Sequence, residues 1–222
     1  MSEMRTEEEQ IQAIKDWWKE NGSSLLIGIG AALAIIFGWQ AWQNYQTEQH
    51  TAAANEFVTL LSAHSGQDGE TNKERTETVA FVAQKLRDNY SGSAYAIYGN
   101  LILAQQQLQD GDATSAIESL KWAQEKAGDH KALSLVVRNR LARAQFSAEH
   151  YDDALATIGG VSDGGAFSPI FSELKGDILL AKGDKDGARK AYLAAREQQA
   201  QQGQQGGVLG LKLADLGVGG DA

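Results

Sequence analysis

The side chains of Asn139 and Arg143 are the pair whose chemistry and spacing point to a binding site. They stand four residues apart in a stretch with helical periodicity, so they share one face of a helix. An amide beside a guanidinium can hold a carboxylate of a partner peptide, because arginine forms paired hydrogen bonds to carboxylates. We interpret the pair as a candidate partner contact; the alternative is an ordinary solvated or ion-paired helix face.

Other reactive residue types lack the spacing that catalysis or metal binding requires. The four histidines lie far apart in the chain, at His50, His64, His130 and His150. No H-E-x-x-H motif occurs in the sequence. Cysteine is absent, so there is no Cys/His cluster either. The acidic pairs, Asp152 with Asp153 and Asp184 with Asp186, are typical of helix starts. We therefore predict a non-enzymatic protein with no cofactor, no metal and no small-molecule substrate.

Composition limits both the fold and the partners. The formal net charge is −9 and no basic stripe is present, which argues against nucleic acid, whose phosphates require lysine and arginine. A single proline among 222 residues favours long helices. No segment alternates with the period of two that strands require. We predict an all-α protein.

A membrane anchor is predicted near the N-terminus. Residues 21–47 carry no charge, and a membrane-spanning helix needs roughly 17–25 mostly apolar residues. Tryptophans flank the stretch at Trp17 and Trp18 on one side and at Trp39 and Trp42 on the other, as in the aromatic belts of a bilayer. A cleaved signal peptide and a buried core helix are the alternatives, but the apolar run continues past the one small-x-small site, at residues 32–34.

One face of the predicted span consists of small residues. Gly30, Ala34 and Gly38 recur every four residues and so line one side of the helix. Spans associate where small side chains let their backbones approach closely. We predict that this face packs on another span.

Basic residues predict the orientation of the anchor. Arg5, Lys15 and Lys19 precede it, and the next lysine or arginine is Lys73. Because cytoplasmic flanks are enriched in lysine and arginine, the N-terminus should be cytoplasmic and the rest translocated, which in a bacterium means the periplasm.

The chain divides by these criteria into five segments. Thr6 and Glu9 fit a capping box at the start of an amphipathic helix, and Asn21-Gly22 should end it. The predicted segments are a cytoplasmic tail with this helix (1–22), a transmembrane helix (23–43), a helical arm and loop (44–71), a helical periplasmic domain (72–217) and a disordered tail (218–222).

An internal repeat of 34 to 38 residues begins at Ala94. In each unit a small residue is followed by an alanine, a large apolar residue and a second small or aliphatic residue at fixed distances. The aligned sets are Ala104, Ala142 and Gly176; Ala116, Ala154 and Ala188; Leu120, Ile158 and Tyr192; and Ala123, Val161 and Ala195. Small residues at these distances allow two antiparallel helices to approach closely, so stacked helical hairpins are predicted.

These positions resemble the tetratricopeptide repeat, which implies a solenoid of α-hairpins with a concave groove. By the alignment, Asn139 and Arg143 face this groove, with Tyr98, Leu101 and Phe146 nearby. In some tetratricopeptide domains, asparagine and basic residues of the groove clamp the carboxylate of a peptide. Here the equivalent residues are Leu101 and Gln105 in the first unit and Glu173 and Asp177 in the third, which departs from a clamp for a terminal carboxylate.

The order of the parts resembles the YfgM family, the ancillary subunit of the bacterial SecYEG translocon. The resemblance is carried by residues 14–22, which contain the Trp-Trp pair, by residues 38–42, and by residues 141–143 and 182–189. It implies a single-pass inner-membrane protein with a periplasmic repeat domain. Its implied partners are the translocon and a membrane-anchored periplasmic chaperone of the PpiD type, and it would help pass translocated chains to periplasmic chaperones.

Residue patterns alone leave two other functions open. One is a membrane-anchored scaffold of the same build in another envelope assembly or stress-signalling complex. The other is a periplasmic enzyme with an unrecognised site, which the lack of a converging nucleophile, base or metal cluster disfavours.

Overall fold

The fold is all-α, as predicted. The computed structural model describes residues 7–66, 71–128, 130–161, 164–204 and 207–217. These residues contain helices and no strand. The α-helices are α1 (Glu7–Ser65), α2 (Asn72–Asn89), α3 (Ala94–Gln109), α4 (Ala113–Ala127), α5 (Lys131–Ser147), α6 (Tyr151–Gly159), α7 (Ser168–Ala181), α8 (Lys185–Gln201) and α9 (Val208–Asp215), with a 3-10 turn at Gly165–Phe167 before α7.

Helix α1 continues through the predicted break at Asn21-Gly22, so that prediction is wrong. The Asn21 side chain donates a hydrogen bond from Nδ2 to the Trp17 carbonyl oxygen, 3.1 Å away, and Gly22 lies against the Trp18 indole. A glycine inside a helix costs only about 1 kcal/mol relative to alanine, and helix on both sides propagates through it. The predicted cap, Thr6, lies outside the described residues.

The chain divides into two compact units after Ala52. In the first unit the apolar side chains of α1 are exposed, including Ile27 at 70% and Ile35 at 72%. Within the described residues, α1 is the one helix long and apolar enough to cross a membrane. The Trp39 and Trp42 rings lie next to each other, with centroids 5.2 Å apart.

The second unit is a stack of antiparallel helix pairs. The last turns of α1, residues 53–65, pack with α2, burying Leu60 and Leu86 in one cluster. The pairs α3 with α4, α5 with α6, and α7 with α8 follow in chain order. Helix α9 closes the last pair with Leu209 and Leu213, both buried. The predicted disordered tail, 218–222, lies outside the described residues.

The repeat positions form the contacts within these hairpins. The alanines Ala116, Ala154 and Ala188 are all 0% exposed, because a larger side chain would separate the paired helices. One position departs from the alignment: α6 ends at Gly159, so Val161 follows the helix instead of lying within it. Two consecutive glycines favour that end, since glycine costs more in a helix than other residues except proline.

The turns within two of the hairpins consist of a glycine followed by an aspartate that caps the next helix. Gly111 and Gly183 have φ values of +81° and +85°, which glycine adopts readily. Asp112 and Asp184 then cap α4 and α8 by accepting backbone hydrogen bonds of 3.0 and 2.8 Å. In the middle hairpin Glu149 takes the same left-handed conformation, with φ at +62°.

Candidate partner-binding groove

The predicted pair forms on α5. Arg143 donates from Nε to the Asn139 side-chain oxygen, 3.1 Å away. This bond orients the guanidinium, and it uses Nε, so that the two terminal nitrogens of Arg143 make no hydrogen bond to Asn139. The Asn139 amide nitrogen is buried and has no hydrogen-bond partner in the part of the chain that the structure describes.

Arg143 and Leu101 line one cavity of about 350 Å³ between α3, α4 and α5. We name it the α3–α5 pocket. Four apolar residues line it: Leu101, Ala104, Leu108 and Leu120. Four polar or charged residues complete the lining: Gln105, Gln109, Arg140 and Arg143.

The other two predicted groove residues lie elsewhere in the second unit. The Tyr98 ring lies 6.2 Å from the ring of Phe57 on α1. Phe146 lies 5.9 Å from the Tyr151 ring, in the cluster formed by α5, α6 and α7. Neither residue lines the α3–α5 pocket. Contact of any of the five residues with a partner stays a prediction.

Arg140 is the residue that sequence reasoning missed. It stands three positions before Arg143, on the same helix face, and both line the pocket. The i, i+4 spacing identified Asn139 with Arg143 but not Arg140. The i, i+3 spacing of the two arginines, next to the apolar repeat position Leu141, could have identified it.

The equivalent surface of the third hairpin is occupied by the chain itself. Lys212 on α9 donates to Glu173 at 2.7 Å and to Asp177 at 2.6 Å. Burial disfavours the charge of Lys212, but its hydrogen bonds to Asp177 and Glu173 outweigh that effect and raise its pKa. The Tyr192 hydroxyl also donates to Asp177, at 2.8 Å, and burial, followed by this bond, raises its pKa.

The small-residue face of α1 is open within its own unit. A Cβ added at Gly30 or Gly38 would meet nothing within 4 Å, and Ala34 is exposed. The face therefore leaves room for a neighbouring helix; packing against another span stays a prediction.

One pattern with catalytic spacing was missed in the sequence: G-x-S-x-G, at residues 160–164. In hydrolases this pattern places a serine at a sharp turn between a strand and a helix. Here helix α6 comes before it, so the strand is missing; Ser162 and Asp163 lie outside the described residues. In the same described ranges no three His, Asp or Glu side chains converge as metal ligands.

Comparison with known proteins gives consistent matches over the chain. A family model described as "Tetratricopeptide repeat-like domain" matches residues 15–218. An "Ancillary SecYEG translocon subunit" of Haemophilus influenzae is 33% identical over 199 residues, which cover 90% of this chain and 93% of that protein. Proteins with the same name from Aggregatibacter actinomycetemcomitans and Escherichia coli are 32% and 28% identical, over 86% and 85% of this chain and 89% and 86% of theirs. No solved structure gives a significant match.

Proposed function

Because the chain belongs to the family of ancillary SecYEG translocon subunits, with their tetratricopeptide repeat-like domain, we propose that it is a non-enzymatic inner-membrane adaptor at the translocon. The observation that carries this proposal is the match over 90% of the chain to a relative of that name. The match covers the anchor as well as the repeat domain. A single apolar helix followed by a stack of hairpins suits a protein that holds a binding surface at the membrane.

The finer proposal is that the repeat domain is periplasmic and passes translocated chains to periplasmic chaperones, including a chaperone of the PpiD type. The basic residues before the apolar stretch of α1, Lys15 and Lys19, favour a cytoplasmic N-terminus. A domain built of stacked hairpins offers a long surface to an unfolded segment without any catalytic group.

Protease accessibility tests the orientation. In spheroplasts, added protease should remove the domain after Gln43, whereas intact cells should protect it, because the outer membrane excludes the enzyme. The measurement is immunoblotting against a C-terminal tag, with a cytoplasmic protein as the control for lysis. A tag that survives in intact spheroplasts and disappears only on lysis would place the domain in the cytoplasm and overturn the chaperone proposal.

Larger side chains on the small-residue face of α1 test whether this face mediates association with the translocon. Gly30→Leu with Gly38→Leu should reduce the translocon that co-purifies in mild detergent about tenfold, since a loss of roughly 1.4 kcal/mol changes an association constant tenfold. Both positions are open, so the helix itself should tolerate leucine and still insert.

A matched pair of substitutions on the other side of α1 controls for bulk alone. Gly28 and Ala32 are also exposed, and at about 100° per residue the middle of this pair lies about 140° around the helix from the middle of the small-residue face. Gly28→Leu with Ala32→Leu should leave co-purification unchanged. Equal yields from both double variants would exclude this face as the interface. Recovery of another envelope complex in place of the translocon, from the unmodified protein, would overturn the proposed function.

A further inference from the structure

The α3–α5 pocket combines an apolar interior with two arginines at its rim. We propose that it binds an extended peptide segment in which a large aliphatic side chain and an acidic side chain stand two residues apart. The inference rests on the proposed function, because it names the kind of segment that the adaptor takes from a translocated chain.

The size and lining of the pocket select the aliphatic side chain. Its volume of about 350 Å³ is at the small end of the roughly 300–1,000 Å³ of ligand sites, so it suits one side chain better than a whole cofactor. Leu101, Ala104 and Leu120, all buried, supply most of its apolar lining, and the exposed Leu108 adds to it. Burying a leucine against such a surface contributes affinity through the hydrophobic effect.

The rim selects the acidic side chain. Arg143 is oriented by its bond to Asn139 and keeps two nitrogens for a carboxylate, which guanidinium groups bind in a paired geometry. Arg140 lies on the same helix face and forms no ion pair within the described ranges of the chain. Two unneutralised arginines are conspicuous on a protein with a net charge of −9.

The third hairpin shows why an anion, and not a cation, is the ligand. Glu173 and Asp177 occupy the positions that align with Asn139 and Arg143, and Lys212 of the same chain already forms an ion pair with each of them. The acidic side chains of the third hairpin are therefore occupied by Lys212 of α9. The basic side chains of the second hairpin, Arg140 and Arg143, line an open pocket. Charge complementarity in the open pocket favours an anionic group, which a peptide supplies as a side-chain carboxylate.

The spacing of the ligand follows from strand geometry. Side chains two residues apart in an extended segment point to the same side and lie about 6.6 Å apart. A leucine in the pocket would thus place a glutamate beside the arginines that line it. An internal segment is favoured over a chain terminus, because a clamp for a terminal carboxylate would need similar residues at the aligned positions of the other hairpins. Those positions hold Leu101 and Gln105 in the first hairpin and Glu173 and Asp177 in the third.

The experiment uses the full chain in detergent and fluorescein-labelled heptapeptides that are blocked by acetyl and amide groups. The probe carries Leu-Ser-Glu at its centre, and its binding is measured by fluorescence anisotropy at low salt. Gln in place of Glu, or Ala in place of Leu, should weaken binding about tenfold, since a hydrogen-bonded charge or a buried aliphatic group contributes that much.

The matched protein variants separate the pocket from net charge. Arg140→Gln with Arg143→Gln should weaken binding of the probe about tenfold or more. Lys190→Gln with Arg196→Gln removes the same charge from exposed positions on α8 and should leave it unchanged. Thermal unfolding of both variants should match the unsubstituted protein, because all four side chains are exposed.

Several outcomes would overturn the inference. These are equal binding of the Glu and Gln peptides, equal loss in both double variants, or binding only of a peptide with a free carboxyl terminus. The assay contains no translocon, so its failure would leave the proposed function intact, and loss of translocon association would leave peptide binding to be measured by itself.

Discussion

Gly176→Val should destabilise the repeat domain by about 3 kcal/mol, at the upper end of typical overpacking costs. A Cβ at this position would overlap the ring of Tyr192. The ring cannot move away, because it is 1% exposed and its hydroxyl is fixed to Asp177 at 2.8 Å. Helices α7 and α8 would have to separate, which also opens the cluster under α9.

The measurement is the unfolding midpoint by circular dichroism in detergent. For a domain of this size each kcal/mol shifts the midpoint by roughly 2–4 °C, so a fall of about 6–12 °C is expected. Gly210→Val is the matched control: Gly210 lies inside α9, and an added Cβ there meets nothing within 4 Å. The control should change the midpoint little.

A second substitution tests the cause. With Tyr192→Ala already present, the space of the ring is empty, and Gly176→Val should then cost much less. Such non-additivity is the sign of two side chains in contact. Additive losses in the double variant would show that the tyrosine ring is not what excludes a side chain at position 176.

The hairpin architecture was predictable because its contacts depend on residue size at fixed spacing. Ala104, Ala116 and their counterparts recur in each unit, and the structure buries them where paired helices touch. The Gly-Asp turns were predictable for a local reason, since a left-handed residue followed by a capping carboxylate needs no tertiary partner.

Two local predictions failed where glycine acts differently in different surroundings. Gly22 lies inside α1, where helix on both sides continues through it. Gly159 and Gly160 end α6 before Val161. The same residue type permits both results, because a helix penalty of about 1 kcal/mol is small enough for the neighbouring residues to decide whether the helix continues.

The candidate groove was only partly predictable. Asn139 and Arg143 pair because four residues along one helix determine their distance. The grouping of Tyr98 and Phe146 with them depended on how three hairpins stack, which spacing within one helix does not determine. Arg140 enters the pocket for the same reason, since its neighbours come from α3 and α4.

The ion pairs of Lys212 give the second large expected effect. Its side chain is 24% exposed and meets Glu173 and Asp177, whose side chains are 25% and 21% exposed. Removing the lysine leaves two like charges close together and largely out of water. Loss of one partner from a buried ion pair costs about 3–5 kcal/mol, so with this residual exposure we expect roughly 2 kcal/mol for Lys212→Met.

Neutralising the carboxylates should restore most of this loss. In Lys212→Met with Glu173→Gln and Asp177→Asn, no unpaired charge remains, and replacing a whole buried ion pair by uncharged groups is often nearly neutral. Lys190→Met removes a lysine that is exposed and makes no ion pair in the described ranges; it should change the unfolding midpoint little.

The pH dependence of unfolding provides the decisive comparison for Lys212. Its pKa is raised in the folded protein by Asp177 and Glu173, against the effect of burial. The stability it contributes is therefore fully present below the ordinary lysine value of about 10.4 and is lost as the pH rises through the raised pKa. The raised pKa of Tyr192 acts in the same direction above about pH 10.

The unsubstituted protein should therefore lose stability between about pH 10 and 12 more steeply than Lys212→Met, which lacks one of the two groups. On acidification the difference between the two proteins should shrink below about pH 4, where carboxylates become protonated and no longer repel each other. A difference that is constant from pH 4 to pH 12 would show that Lys212 stabilises α9 through the packing of its aliphatic stem, and not through its charge.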